Sequence, residues 1–83
     1  MQVSVKLFGA LRQFLPAGSG FNHCTLSIPE SASLNDVLAQ LPIPADKQYL
    51  VIINDERIEQ TEIESTRISE SDQIVLIPPI KGG

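Results

Sequence analysis

The chain has 83 residues, of which 42% are hydrophobic and 19% are charged, and its formal net charge at pH 7 is −4. This length favours one domain with one modest core and no enclosed active-site cleft. No apolar run is long enough to span a membrane, and the N-terminal residues lack the pattern of a signal peptide. Nucleic acids and anionic membranes require a basic surface, so the acidic balance argues against both and favours a protein partner. A single cysteine cannot form an intramolecular disulfide, and we therefore expect a cytoplasmic location.

The first third of the chain predicts a hairpin of two strands. Apolar and polar residues alternate over residues 3–7 and again over residues 24–28, which is typical of half-buried strands. Between them, residues 10–15 are expected to form a short helical turn and residues 17–20 a flexible loop. The two strands are close enough in sequence to pair through a wide loop.

The next segment has the periodicity of a helix. Its apolar residues recur at i, i+3, i+4 and i+7, at Leu34, Val37, Leu38 and Leu41. Ser33 is a suitable N-cap, since its hydroxyl can accept a hydrogen bond from a free backbone N–H of the first turn. Pro42 and Pro44 are expected to end the helix because proline cannot donate to a carbonyl one turn back.

The second half of the chain predicts two further long strands and a short one. Residues 49–53 form an almost continuous apolar run, followed by a turn at 54–55 and a short return strand at 57–58. Residues 59–68 are polar and give no clear assignment, and the last strand covers residues 73–77. One amphipathic helix must cover one face of the sheet. We therefore predict an α+β fold with a mixed sheet of four to five strands packed on one main helix. The order of elements is that of a β-grasp, although order alone fits several α+β sheets.

The C-terminal residues 78–83 read as a tail attached to a domain of residues 1–77. Pro78 and Pro79 have no N–H, so strand pairing should stop there, and two prolines favour an extended conformation. Six residues can reach roughly 20 Å, and a tail that packs on nothing could enter another protein's active site. Gly82 and Gly83 have no side chains and could thread a narrow channel.

A terminal carboxylate on Gly83 is inert at neutral pH and would need activation. Adenylation by ATP gives a mixed anhydride, which sulfide or a persulfide can convert to a nucleophilic thiocarboxylate. A frayed glycine terminus is the simpler interpretation. The two prolines directly after a strong strand make it less favourable.

Several segments together resemble one family. The sequence is similar to the ubiquitin-like sulfur carriers of the MoaD/ThiS type, and most similar to the small subunit of molybdopterin synthase. The segments that carry the resemblance span nearly the whole chain, and they are residues 5–12, 33–41, 53–54, 71–72 and 77–83.

This resemblance implies a thiocarboxylate on Gly83, formed by a MoeB-like adenylating enzyme that uses ATP and Mg²⁺. The carrier itself would bind no cofactor and no metal. A persulfide enzyme would supply the sulfur, and a MoaE-like large subunit would receive the tail, through which a pterin precursor gains its dithiolene sulfur. The resemblance also assigns roles to further positions. Tail threading would involve Pro78, Pro79, Ile80, Lys81 and Gly82, and partner docking would involve Phe8, Arg12 and Ile77. Alternation on the last strand adds Val75, because Val75 and Ile77 point outward if Ile74 and Leu76 point to the core.

The sequence departs from the family in three places, one of which is the polar and acidic segment 54–73, which matches the family poorly. Ser71 stands where a glycine is usual before the last strand, and Ile77 stands where an aromatic residue is frequent. Carriers with this tail also serve thiamine, cysteine and tungsten-cofactor synthesis. A protein modifier conjugated through Gly83 and a plain binding module are the alternatives from other classes. No acid–base or nucleophilic set is visible, so a free-standing enzyme has the least support.

Three other features have a structural interpretation that we favour. Cys24 belongs to the alternation of the second strand and is expected in the core rather than as a sulfur-handling thiol. His23 has no second ligand at metal-binding spacing and is expected on the surface. Seven of the ten acidic residues lie between Asp55 and Asp72, and such a run is more often a solvated face than a docking surface.

Overall fold

The computed structural model describes residues 1–44 and 46–79. The described chain forms five strands, one α-helix and two short 3₁₀ helices. In chain order they are β1 (Gln2–Leu7), the first 3₁₀ helix (Gly9–Phe14), β2 (His23–Ser27), α1 (Leu34–Ala39), β3 (Leu50–Ile53), β4 (Glu56–Ile58), the second 3₁₀ helix (Gln60–Glu62) and β5 (Gln73–Ile77). Within these residues, no helix has the length and hydropathy that crossing a bilayer requires.

The sheet has the order β2-β1-β5-β3-β4. Its central pair, β1 and β5, is parallel, and the other three pairs are antiparallel. The predicted β-grasp fold with a mixed sheet is therefore confirmed, including the hairpin of the first two strands. The helix covers one face of this sheet, and that face holds the core, as the alternation predicted. The largest fully buried side chains are Leu7, Leu34, Ile74, Leu76, Val3, Val5 and Val37.

The helix α1 begins at the predicted cap and is shorter than predicted. The Ser33 hydroxyl accepts a hydrogen bond from the Asp36 amide, and the Asp36 carboxylate accepts one from the Ser33 amide at 3.0 Å. This reciprocal pair satisfies two amides that the first turn leaves free. The helix ends at Ala39, and Leu41 is buried just beyond it. A stripe of apolar residues thus sets the face of the helix better than it sets its last residue.

The turn between β3 and β4 is tied to the beginning of β5. Asn54 and Asp55 both have positive φ, at 51° and 70°, as a two-residue hairpin turn of type I′ requires. The Asn54 side chain donates to the Asp72 carboxylate at 2.8 Å and accepts from the Gln73 amide at 3.0 Å. Asp72 also accepts from the Ser69 amide at 2.8 Å. The turn before β5 is thus closed by the Asp72 side chain, and it does not use the glycine that the family favours.

The segment that the sequence left unassigned packs beside the start of α1. It contains the second 3₁₀ helix, and the Thr66 carbonyl accepts a hydrogen bond from the Leu34 amide at 2.8 Å. Ile68 is 3% exposed, and its amide donates to the Ala32 carbonyl. Isolated apolar residues in this polar stretch therefore complete the core around the helix N-terminus.

The strand β2 lies at one edge of the sheet. Near each of its ends, one backbone carbonyl accepts a hydrogen bond from a group that is not part of the β1–β2 pairing. The His23 carbonyl accepts from the Gly20 amide at 2.9 Å, and the Ser27 carbonyl accepts from the Gln40 side chain at 3.1 Å.

Candidate docking face and tail root

The sheet face opposite the helix, which we call the open face, is arranged in rows that the strand register defines. One row crosses all five strands, because Lys6 pairs with both His23 and Val75, Val75 pairs with Ile52, and Ile52 pairs with Arg57. Its two apolar members are half-buried, and His23, Lys6 and Arg57 are exposed, the last two being positively charged. This row therefore has an apolar centre flanked by positive charge.

A second row lies closer to the tail and is apolar. Ile77 pairs with Leu50, and both side chains are half-buried. The Phe8 amide donates to the Leu76 carbonyl at 3.1 Å, which holds Phe8 beside the end of β5. Phe8 has extended backbone angles, so the alternation of β1 continues and its side chain shares the face of Lys6. The predicted docking residues Phe8, Val75 and Ile77 thus lie on one face.

Arg12, the fourth predicted docking residue, is exposed on the first 3₁₀ helix. Its guanidinium carbon lies 4.3 Å from the centroid of the Phe21 ring, which is 79% exposed. A guanidinium at this distance is attracted to the face of the ring. Arg12 is therefore held by an aromatic contact within the chain, and the residue as a whole remains exposed.

The sequence did not reveal three residues here, namely Leu50 and Ile52 on the open face and Phe21, whose ring contacts Arg12. Phe21 lies at the end of a polar loop, where no periodicity points to a face. Leu50 and Ile52 belong to a continuous apolar run, in which the pattern does not separate core positions from outward ones. Alternation counted back from the turn at Asn54 would have identified both.

The open face has a charge opposite to that of the whole chain. The strand positions that share this face carry no acidic residue, and their charged members are Lys6 and Arg57. The chain as a whole has ten acidic residues against six basic ones. Arg57 lies 3.8 Å from the Glu59 carboxylate, but both side chains are more than half exposed, so this ion pair contributes little. An acidic protein thus presents a basic and apolar face.

The tail begins at Pro78, which is half-buried against Gly9. A Cβ placed on Gly9 would lie 2.9 Å from Cγ of Pro78. The expectation that the tail packs on nothing is therefore wrong for its first residue, because the proline ring rests on glycine backbone. The other predicted tail residues, Ile80, Lys81, Gly82 and Gly83, lie outside the described residues.

Pro79 is exposed and stands between two shallow grooves. One, of about 380 Å³, is lined by Phe14 and Gln48 among others, and the other, of about 480 Å³, by Ile43 and Tyr49 among others. Burial raises the pKa of the Tyr49 hydroxyl. Pro78 and Pro79, which we call the tail root, thus have partly apolar surface on both sides.

The remaining candidates lie away from this surface or carry no chemistry. Cys24 is 6% exposed, and burial raises the pKa of its thiol, which confirms its place in the core. A buried thiol of raised pKa is a poor nucleophile. His23 is exposed, as predicted. In the part of the chain that the structure describes, no group of three or more potential metal ligands is found.

Among known proteins, solved structures match the fold of the chain and one family model matches its sequence. No curated protein is significantly similar to the chain. SAMP1 from Haloferax volcanii superimposes with a TM-score of 0.72 at 22% identity, covering 100% of both chains. The Haloferax volcanii HVO 2177 protein gives 0.73 at 19%, covering 100% of this chain and 87% of the other. Small archaeal modifier protein 1 (SAMP1) from Methanosarcina acetivorans gives 0.68 at 27%, covering 99% and 96%. The ThiS family model matches residues 5–83, so the chain belongs to the ThiS family of ubiquitin-like β-grasp proteins.

Proposed function

We propose that this protein is a sulfur carrier and that it acts as the small subunit of a molybdopterin-synthase-like sulfurtransferase. The observation that carries the proposal is the family match, which extends beyond β5 through the whole tail to Gly83. The tail root supports it, because Pro78 and Pro79 end the sheet beside an apolar face that another protein can cover. In this function the chain supplies position and a reactive carboxylate, and its partners supply the catalytic groups.

The proposed chemistry has two steps at Gly83. Its carboxylate attacks the α-phosphorus of ATP, pyrophosphate leaves, and an acyl-adenylate forms. Hydrosulfide then attacks the acyl carbon, AMP leaves, and a proton is lost to give the thiocarboxylate. A MoeB-like enzyme would hold ATP and Mg²⁺. When a persulfide enzyme is the donor, a thiol must reduce the acyl disulfide that forms first.

Partner recognition is proposed to use the open face beside the tail. Phe8, Val75 and Ile77 give it an apolar centre, and Arg12 stands at its margin. The basic residues Lys6 and Arg57 flank that centre, and we expect the matching surface of the partner to be apolar with an acidic rim. Complementary charge at a rim mainly raises the association rate and excludes wrong partners. The MoeB-like enzyme and the MoaE-like subunit are the proposed occupants.

A protein modifier is the second candidate, and one specific observation favours it. The solved structures that resemble the chain include two named SAMP1, one of which is named a small archaeal modifier protein. Both functions share the acyl-adenylate of Gly83, and they separate at the next nucleophile. Sulfide would give the carrier, whereas a lysine amine of a target would give an isopeptide.

The decisive experiment is the intact mass of the protein after incubation with ATP, Mg²⁺, sulfide and a MoeB-like enzyme. The starting mass must first match a chain that ends at Gly83. Conversion to the thiocarboxylate adds about 16 Da, the mass difference between sulfur and oxygen, on the Gly82-Gly83 fragment. A variant lacking Gly83 is the control and should not gain it. An unchanged mass with an enzyme that loads another carrier would contradict the proposal, and lysine adducts in cells would favour the modifier.

Docking can be tested separately from the chemistry. Ile77→Asp places a charge in the apolar centre of the open face and should weaken binding to the same enzyme by about tenfold or more. Thr25→Asp adds the same charge to an exposed position of that face, on the edge strand β2, and is the matched control. Titration calorimetry of both variants measures the effect. Equal affinities would show that the partner covers another surface.

A further inference from the structure

Gly9 is the first residue of the first 3₁₀ helix, and only Phe8 separates it from the end of β1 at Leu7. Its neighbour Phe8 is hydrogen-bonded to Leu76 near the end of β5. The end of β1 therefore lies beside the point at which the tail leaves the sheet.

Two constraints disfavour a side chain at Gly9, namely its backbone conformation and the nearby Pro78 ring. Gly18 shares only the first of them. Gly9 has φ +58°, and a Cβ on it would lie 2.9 Å from Cγ and 3.5 Å from Cδ of Pro78. Gly18 has φ +85°, and a Cβ on it would meet nothing within 4 Å. Both positions disfavour a side chain because of backbone conformation. At Gly9 the side chain would also displace the proline ring.

We infer that Gly9 is a positioning residue for the tail: its bare backbone is the seat of the Pro78 ring and sets the direction in which the tail leaves the domain. This inference rests on the proposed function, in which that direction matters for presenting Gly83 to a partner's active site. Pro78 has no N–H through which the sheet could hold it, so contact of its ring with Gly9 takes the place of a hydrogen bond. Residues 80–83 follow directly after this root, so a displaced Pro78 ring would change the point from which they start.

The first test compares Gly9→Ala with Gly18→Ala in adenylation by a MoeB-like enzyme. Misplacing a reacting group by ~1 Å can cost ~100-fold in rate, and we expect Gly9→Ala to lower kcat by about tenfold or more. The dissociation constant for the enzyme should change by less than about threefold, because the open face is intact. Gly18→Ala has a similar backbone penalty and should leave kcat within about twofold of wild type. Equal kcat values for the two variants would overturn the inference.

The second test approaches the contact from the other side and on the protein alone. Wild type should show a nuclear Overhauser effect between the α-protons of Gly9 and the γ-protons of Pro78. Its absence would contradict the contact between Gly9 and the Pro78 ring. Pro78→Ala should lower kcat as Gly9→Ala does, whereas Pro79→Ala, at an exposed position, should have a smaller effect. This pair decides the matter if Gly9→Ala does not fold. A wild-type protein that shows the contact but is not adenylated would instead refute the proposed function.

Discussion

On β5, Ile74 and Leu76 are completely buried against the helix side, whereas Val75 and Ile77, each one residue away, stay half-exposed on the open face. The same alternating strand thus serves two surfaces. One is closed by α1 and by the segment around Ile68, and the other has no layer over it among the described residues. Apolar residues on the open face are therefore not needed to complete the core, and they are available for a partner.

The largest expected effect comes from a pair of neighbouring substitutions on opposite faces of β5. Ile74→Ala removes fully buried methyl and methylene groups and should lower the free energy of unfolding by about 2–5 kcal/mol. Val75→Ala removes a half-exposed side chain, and its loss should stay below about 1 kcal/mol. Urea unfolding followed by circular dichroism measures both. Equal losses in the free energy of unfolding would contradict this distinction between the two faces, because the open face would then contribute to folding as much as the core does.

A smaller effect is expected from the polar cluster that joins the turn at Asn54 to β5. Asp72→Ala removes the acceptor of the Asn54 side chain and of the Ser69 amide, and we expect a loss of about 1–2 kcal/mol in the free energy of unfolding. Glu70→Ala, at an exposed acidic neighbour, is the control and should change it by less than about 0.5 kcal/mol. Similar values for the two would mean that backbone pairing alone fixes this end of the sheet.

The smallest effect concerns alkaline pH. Burial raises the pKa values of Cys24 and Tyr49, so the unfolded chain loses these protons at lower pH than the folded chain does. The unfolded chain then binds fewer protons, and stability should fall as pH rises above about 8.5, the ordinary pKa of a thiol. Below that pH the two groups contribute no pH dependence. Urea midpoints from pH 7 to 10 measure the slope.

Cys24→Ala is the control for this pH dependence. It removes one of the two titrating groups and should flatten the decline above pH 8.5, a value that is about the ordinary thiol pKa. An unchanged slope would assign the whole alkaline effect to Tyr49.

Most of the secondary structure could be predicted from the sequence, because alternating and helical periodicity indicates which side of each element is apolar. The cap at Ser33 and the core position of Cys24 followed from the same local rules. The β-grasp topology depended on the order of the elements together with the family resemblance. The segment around Ile68 could not be predicted, since its role depends on contacts with residues distant in the chain. For the docking face, alternation identified Val75 and Ile77. The rows that join them to Leu50 and Ile52 depend on the register between strands, which a single sequence does not specify.

The two hydrogen bonds at the edge of β2 affect how this protein behaves at high concentration. An edge strand with free backbone groups is a template for pairing with another copy, and extended growth of such pairs leads to aggregates. Here Gly20 and Gln40 occupy the carbonyls of His23 and Ser27, near the two ends of the edge. An incoming strand that paired along the whole length of β2 would compete with both of these bonds. The edge of β2 is therefore partly protected against self-association, while the open face stays available for a partner.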